Sequence, residues 1–267
     1  MSNVHGSAII GENVSLGRGV AIGPYAIVED GVTVGDGTKI SSHAILRAGT
    51  IIGSDCLVDS FAVIGGLPQD ENFNWQTTSG VLIGDNTLIR EYVTVNRATA
   101  ESAVTKVGNN CMLQSGAHVA HDCVVGDETV LASGCMLGGH AKVGPKCFIG
   151  GGAAVHQWVV IGSHVILGGL SATSLNIPPY AMAFGISTVI GLNLVGLRRA
   201  KISRENIVAL KNCFSEFYKR TGNFRERALG MVKDDFATTE ETRNFLDFFS
   251  IESRQGFAPK RHRIGTE

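Results

Sequence analysis

Every sixth residue of this chain is aliphatic over most of its length, and that period restricts the fold more than any other feature. One run goes Val4, Ile10, Leu16, Ile22, Val28, Val34, Ile40, Leu46, Ile52, Val58, Ile64. It resumes at Ile83, Ile89 and Val95, then continues from Val107 through Leu113, Val119, Val125, Leu131, Leu137, Val143, Ile149, Val155 and Ile161 to Leu167. A helix repeats its apolar face every 3.6 residues and a simple strand every two, so neither sustains a period of six. Short strands joined by tight corners do sustain it. The residue four places after the aliphatic is small or β-branched (Ala26, Val32, Ala44, Cys123, Ala153), so both can point inward. Three hexads close one triangular coil, and coils stack about 4.8 Å apart. The twenty-five hexads predict a parallel β-helix of roughly eight coils, on the order of 40 Å long.

Two interruptions matter for function. Residues 66–80, GLPQDENFNWQTTSG, lose the phase and must leave the prism as a loop. Residues 98–104, ATAESAV, put Glu101 where an aliphatic is due, so a second excursion is expected there. Polar loops on a rigid scaffold are natural carriers of binding groups. After LNIPPYAMAFG the hexads stop. Ser203 is placed to cap a helix with the apolar face Ile207, Leu210, Phe214 and Phe217, ending near Gly222. Thr238 and Glu241 read as a capping box ahead of Phe245, Leu246, Phe248 and Phe249. The expected division is residues 1–190 as β-helix, with excursions near 66–81 and 98–105, and residues 191–267 as a small helical domain.

Charge narrows the range of partners. The net charge of −1 gives the whole molecule no general attraction for nucleic acid or anionic lipid. The distribution is uneven: residues 198–227 hold nine Lys/Arg against three Glu, whereas the first 197 residues hold eight Lys/Arg in all. That segment suits an acidic partner. The N-terminus lacks a basic-then-apolar signal pattern, and no window reaches the length of an apolar membrane span, so a soluble cytoplasmic chain is expected. The six cysteines include no C-x-x-C pair; Cys56, Cys111, Cys123, Cys135 and Cys147 share one place in the hexad and read as small core residues. No resident metal or other cofactor is expected.

Coil arithmetic gathers the histidines. One coil beyond His121 is Gly139, beside His140, and another coil on is Gln157, beside His156. His118 precedes His121 by three. Four imidazoles along one edge form a site, whereas a lone one would be filler. A neutral imidazole near its ordinary pKa of about 6.5 takes a proton from a hydroxyl at working pH. Gly139 has no side chain to block a backbone N–H that would stabilise an oxyanion. Base, donor and groove suit acyl transfer to an alcohol, with Asp122 a candidate to orient the base.

The hexads resemble the left-handed β-helix of hexapeptide acyltransferases, and the hand of the coil follows from that resemblance. The stretches HVAHDC, LGGH, AVHQW, LPQD, IREYVTVNRAT, IPPY and GLNLVGLRR fall in the order and spacing of the UDP-N-acetylglucosamine acyltransferase family, across essentially the whole chain. The resemblance implies transfer of an (R)-3-hydroxyacyl group from acyl carrier protein to the sugar 3-position of a UDP-hexosamine, the first step of lipid A biosynthesis. It implies His121 as general base and Gly139 as oxyanion donor. By the same resemblance Asp70, His118, His140, His156, Gln157, Asn193 and Arg199 are substrate-pocket positions, and Gly169 limits acyl-chain length. A homotrimer with sites between subunits is implied too, and the basic segment fits the acidic donor.

Three positions depart from the family's pattern. Asn72 stands where a lysine is common, Val195 where a glutamate is common, and Ala200 where a second arginine often follows Arg199. They bear on nucleotide and sugar contacts, which leaves Arg198 or Arg199 to compensate and keeps a 3-amino sugar open beside the 3-hydroxyl one. Competing readings are a zinc carbonic-anhydrase-like β-helix using His118, His121, His140 and His156 as ligands, a binding solenoid without activity, and a sister acyltransferase acting later on an acylated sugar.

Overall fold

Each hexad folds as a two-residue strand followed by a corner, as in Ala21–Ile22, Ile27–Val28 and Thr33–Val34. The second residue of each pair, the aliphatic of the repeat, points inward and is buried, while the first faces outward. Three residues after the aliphatic, the backbone takes a positive φ, not only at Gly31 and Gly37 but also at Tyr25, His43, Phe61 and Tyr92. That conformation costs a residue with a Cβ about 1–2 kcal/mol. Side chains there lie along the edge and meet their counterparts one coil away. Tyr25, His43, Phe61 and Tyr92 form a stacked ladder with ring centroids 5.1–5.2 Å apart.

The computed structural model describes residues 2–261, so residues 262–267 of the expected helical domain lie outside the described part. Strands within each sheet pair with those one coil before and after, and the end strands pair on one side, giving sheets of eleven, nine and eight strands. All pairings run parallel except that of Ala181–Ala183 with Val189–Leu192, which closes the first sheet. The eight-stranded sheet sets the number of complete coils, in agreement with the hexad count. The prism is a left-handed parallel β-helix followed by helices. The first excursion lies between Val63–Gly66 and Gly80–Ile83, and the second between Thr94–Asn96 and Val104–Val107. Glu101 ties them together, its carboxylate accepting the Thr78 N–H at 2.9 Å.

The cysteines are free and buried. Burial pushes the Cys123, Cys135 and Cys147 thiols up to about 12, as suits small core-filling residues. Along one inner edge Thr38, Cys56, Thr87, Cys111, Thr129 and Cys147 alternate coil by coil. Each donates to a carbonyl of the adjacent coil, as Thr129 Oγ does to Gly144 O (3.0 Å) and Cys147 Sγ to Gly162 O (3.0 Å). Each threonine oxygen also accepts the N–H of the cysteine above it.

The helices are α1 (Leu194–Arg199), α2 (Arg204–Lys219), α3 (Phe224–Lys233) and α4 (Glu240–Asp247). Ser203 caps α2, accepting the Asn206 N–H, and the helix ends at Lys219, ahead of Gly222, because Arg220 turns to extended backbone. The capping box of α4 sits one residue later than the sequence suggests. Thr239 and Thr242 exchange the bonds, while the nearly buried Glu241 accepts from Asn206 Nδ2 at 3.0 Å. Phe217 stacks on Phe249 at 4.2 Å in the core of this domain.

The chain then returns to the prism. Buried Asn176 holds it: its Oδ1 accepts the Val160 N–H (2.7 Å), and its Nδ2 donates to Ser253 Oγ (3.0 Å) and Gln255 O (2.8 Å). Replacing Asn176 with Ala leaves buried backbone groups unpaired. The expected loss is about 1–3 kcal/mol of unfolding free energy, measured by denaturant titration, with faster amide exchange at residues 253–258. Wild-type stability and exchange in the variant would contradict this role.

Candidate active site

The site stands on the corner between the nine- and eight-stranded sheets, where three successive coils place their turns one above another. His118–Val119 pairs with Met136–Leu137, and that strand with Ala154–Val155. The turns that follow are Ala120-His121-Asp122, Gly138-Gly139-His140 and His156-Gln157-Trp158. Backbone bonds join them: His140 N–H donates to His121 O (3.0 Å), and Trp158 N–H to Gly139 O (3.0 Å).

His121 is nearly buried, 9% exposed. Its Nδ1 lies 2.9 Å from Asp122 Oδ2. A carboxylate accepts only, so Nδ1 carries the proton and Nε2 keeps its lone pair. Neighbours on a strand would point oppositely, but these residues occupy a corner. The positive φ of Asp122 (60°) turns its side chain back to the histidine. Thr99 fixes the carboxylate through its N–H (3.1 Å) and hydroxyl (2.7 Å), and Thr105 Oγ accepts the Asp122 N–H (2.8 Å). Burial raises the Asp122 pKa, but the bonds from His121 and Thr99 outweigh it and leave the carboxyl below its usual range.

Gly139 is a steric requirement. A Cβ there would come within 2.5 Å of His121 Cε1 and 2.6 Å of Nε2, so any side chain would displace the ring. At other corners the N–H of the second turn residue is met by an acidic or amide side chain one coil on. Arg18 N–H to Asp36 and Asn109 N–H to Asp127 are examples, each to Oδ1. The corresponding Gly139 N–H has no acceptor among the described residues.

The other histidines differ in setting. His118 Nδ1 lies 2.7 Å from Thr94 Oγ, and burial, followed by His121, depresses its pKa. His140 presents its edge to His121 at 5.2 Å, its Nε2 is 3.7 Å from Asp122 Oδ2, and it stacks flat on Trp158 at 3.7 Å. Burial depresses its pKa as well. His156 is exposed, with Nδ1 donating to Gln157 O. Asp70 and Asn72 are exposed on the first excursion, where Asp70 Oδ1 accepts the Asn72 N–H; Asp70 is near enough to act electrostatically on His140.

The remaining candidates lie at other corners of the prism. Gly169 follows Ile166–Leu167, on the corner between the first two sheets. Asn193 and Arg199 line a cleft of about 550 Å³ with Glu128, Lys146, His164 and Lys201, on the third corner. Asn193 itself is buried, its amide accepting the Gly196 N–H to cap α1 and donating to His164 O. Arg198 and Arg199 are exposed on α1, as is Val195, and Ala200 ends that helix. Sequence reasoning missed Thr94, Thr99, Thr105, Trp158 and Arg254. Trp158 was accessible by counting one residue past Gln157, and Thr94 by its hexad place, which matches that of His118 one coil on; Thr99, Thr105 and Arg254 come from segments with no spacing signal.

Donor atoms of His121, Asp122 and His140 lie within 4.8 Å of one another, close enough to surround an ion. Asp122 Oδ2 already accepts from His121, Thr99 N–H and the Thr99 hydroxyl, so the set is satisfied as a histidine–carboxylate pair.

Two family descriptions match the chain: Udp N-acetylglucosamine O-acyltransferase, Domain 2, over residues 176–258, and bacterial transferase hexapeptide (six repeats) over residues 13–48 and 105–139. The acyl-[acyl-carrier-protein]–UDP-N-acetylglucosamine O-acyltransferase of Aliarcobacter butzleri is 41% identical over 237 residues, covering 88% of this chain and 91% of that relative. The protein of the same name from Campylobacter lari is 37% identical over 258 residues, covering 96% of each. Among solved structures, UDP-N-acetylglucosamine acyltransferase from Campylobacter jejuni superposes with a TM-score of 0.89 at 32% identity, covering 97% of this chain and 100% of that one.

Depressed pKa values for His118 and His140 carry a pH signature. The unfolded chain takes up their protons first, so their contribution to stability is present above about 6.5 and is lost as pH falls through the folded values. NMR titration should place both midpoints below about 6.5. A midpoint at or above that value for either ring would contradict the described burial.

Proposed function

The chain belongs to the UDP-N-acetylglucosamine O-acyltransferase family, and from that membership we propose that it transfers an (R)-3-hydroxyacyl group from acyl carrier protein to the 3-hydroxyl of UDP-N-acetylglucosamine. In the resemblance this is the first step of lipid A assembly. The observation that carries the mechanism is the His121 ring, oriented by Asp122 and lying against Gly139.

His121 Nε2 takes the proton of the sugar hydroxyl as its oxygen attacks the thioester carbonyl carbon. Negative charge moves to the carbonyl oxygen, where the Gly139 N–H stabilises it. Collapse re-forms the carbonyl and breaks the C–S bond. The carrier's sulfur leaves and takes the proton back from His121. Asp122 keeps the proton on Nδ1 and stabilises the imidazolium between these events. The scheme draws on side chains and backbone alone. Asn72, Val195 and Ala200 make no hydrogen bond to His121 or Asp122 among the described residues, so in this reading they alter polar contacts to the nucleotide sugar and not the proton transfers. Asp70, His118, His156 and Gln157 surround the acceptor in this reading.

The three corners support a homotrimeric assembly. Within one chain, Gly169 and the Asn193–Arg199 cleft lie on corners other than that of His121; in a homotrimer a neighbour's corners supply them. Exposed apolar residues on the first two sheets, among them Met136 (50%) and Phe148 (43%), support such contacts. The donor's acidic carrier suits the charge of a cleft of about 920 Å³ lined by Lys219, Arg227, Lys260 and Arg261 and, among the described residues, by no carboxylate. Among the described residues no helix is long and apolar enough to cross a membrane, and substrates of this kind support a cytoplasmic setting.

His121→Ala is expected to lower kcat by about 10²–10⁴-fold while circular dichroism stays unchanged; near-normal turnover by the folded variant would exclude His121 as the base. Gly169 tests the acyl groove. A Cβ there meets Gly151 O at 3.4 Å and Gly151 N at 3.9 Å, both ordinary contacts, so Gly169→Met should fold. Its side chain should occupy space that terminal methylenes need and shift preference to shorter donors. Mass spectrometry of products from a mixed donor panel reads the shift, and an unchanged preference would place the end of the groove elsewhere.

A further inference from the structure

Behind the catalytic pair, on its eight-stranded-sheet side, a cleft of about 610 Å³ is lined by Asp122, His140, Lys142, Trp158 and residues 252–254 of the returning C-terminal segment. The Arg254 guanidinium carbon lies 3.7 Å from the centroid of the Trp158 ring. The opposite relation of that indole is to His140, stacked at 3.7 Å with 6° between the planes. His140 in turn meets His121 edge-on. Arg254 is exposed and makes no ion pair among the described residues, yet its backbone is fixed on both sides. Asn176 holds Ser253 and Gln255, and Gln255 Nε2 donates to Gln157 O at 3.2 Å.

We propose that Arg254 is a positioning residue for the acyl transfer: through Trp158 it clamps His140, and through His140 it keeps the His121 ring seated against Gly139. The proposal rests on the reading of His121 as base. A guanidinium lying flat on an indole is attracted by the ring's quadrupole, and the planar stack limits how far each ring can tilt. His121 is confined by the Gly139 backbone and the His140 edge, so loosening His140 frees the base to leave its attack geometry.

The stack also governs charge. Asp122 and Asp70 act to protonate His140; burial, His121 and Arg254 act against it, and Lys142 and Glu252 line the same cleft. A protonated His140 would compete with His121 for Asp122 Oδ2. The cation beyond Trp158 therefore helps reserve that carboxylate for the base.

The test uses the full-length enzyme carrying Trp75→Phe, which leaves Trp158 as the only tryptophan, since the chain has two. Into it go Arg254→Gln, Arg254→Lys and, separately, Trp158→Phe in the unaltered enzyme. A protonated imidazole quenches an indole stacked on it, so Trp158 fluorescence against pH reports His140. Arg254→Gln should lower kcat about fivefold with both KM values unchanged, and should move the fluorescence midpoint to higher pH. Arg254→Lys should keep the midpoint and recover part of kcat, and Trp158→Phe, which narrows the aromatic face shared by the guanidinium and His140, should lower kcat less than Arg254→Gln does, with both KM values unchanged. A raised KM with kcat retained would make Arg254 a substrate contact and overturn the proposal. So would an unchanged midpoint, or a loss of kcat matched by a fall in thermal stability. Absence of turnover in the unaltered enzyme would count against the functional reading alone, while the fluorescence midpoint would still decide whether Arg254 controls His140.

Discussion

Backbone hydrogen bonds between successive coils hold each turn directly over the one before, and the rest of the structure depends on that registry. A strand two residues long has no stability of its own. Stacked in register, it gains pairing on both sides and a column of aliphatic side chains within, as neighbouring units do in any solenoid. The same registry turns a period in the sequence into columns in space. The threonine–cysteine ladder, the Tyr25–Tyr92 ring ladder and the histidine edge are three outcomes of one rule.

The corner conformation gives this rule its chemical consequence. A positive φ at the third turn residue turns its side chain along the edge, and at Asp122 this brings the carboxylate back to the preceding residue. Two residues adjacent in sequence are thereby joined by a side-chain hydrogen bond, which a strand would not allow. Glycine at the second turn residue of the next coil leaves room for the ring and exposes an N–H on the same edge. The local strain is carried by a rigid scaffold, as is common where side-chain geometry must be exact to a fraction of an ångström.

The helical domain is tied to this edge rather than appended to it. Asn176 fastens residues 253–255 to the prism, and Arg254 covers Trp158. Arg254 in the returning segment is therefore connected to His121 through Trp158 and His140. The basic cleft formed by Lys219, Arg227, Lys260 and Arg261 uses the same returning segment, so the proposed donor surface and the proposed positioning residue share one structural element.

The period of six determined the prism, its number of complete coils, both excursions and the vertical alignment of His121, Gly139 and Gln157, because each depends only on spacing. The family motifs, read from the same sequence, named the reaction. Spacing had no means of pairing Asp122 with His121, since that rests on a backbone angle, nor of supplying Thr99 and Thr105, whose positions depend on how an irregular loop rejoins the coil. It also placed the α4 cap one residue early, because either hydroxyl–acceptor pair satisfies the pattern and only burial of Glu241 decides between them. Asn193 shows the converse: a polar residue in a family motif that the fold buries and engages at both ends of its amide. Arg254 came from tertiary structure alone, because a contact across about a hundred residues leaves no periodic trace and exists only once the C-terminal segment has returned to the edge it covers.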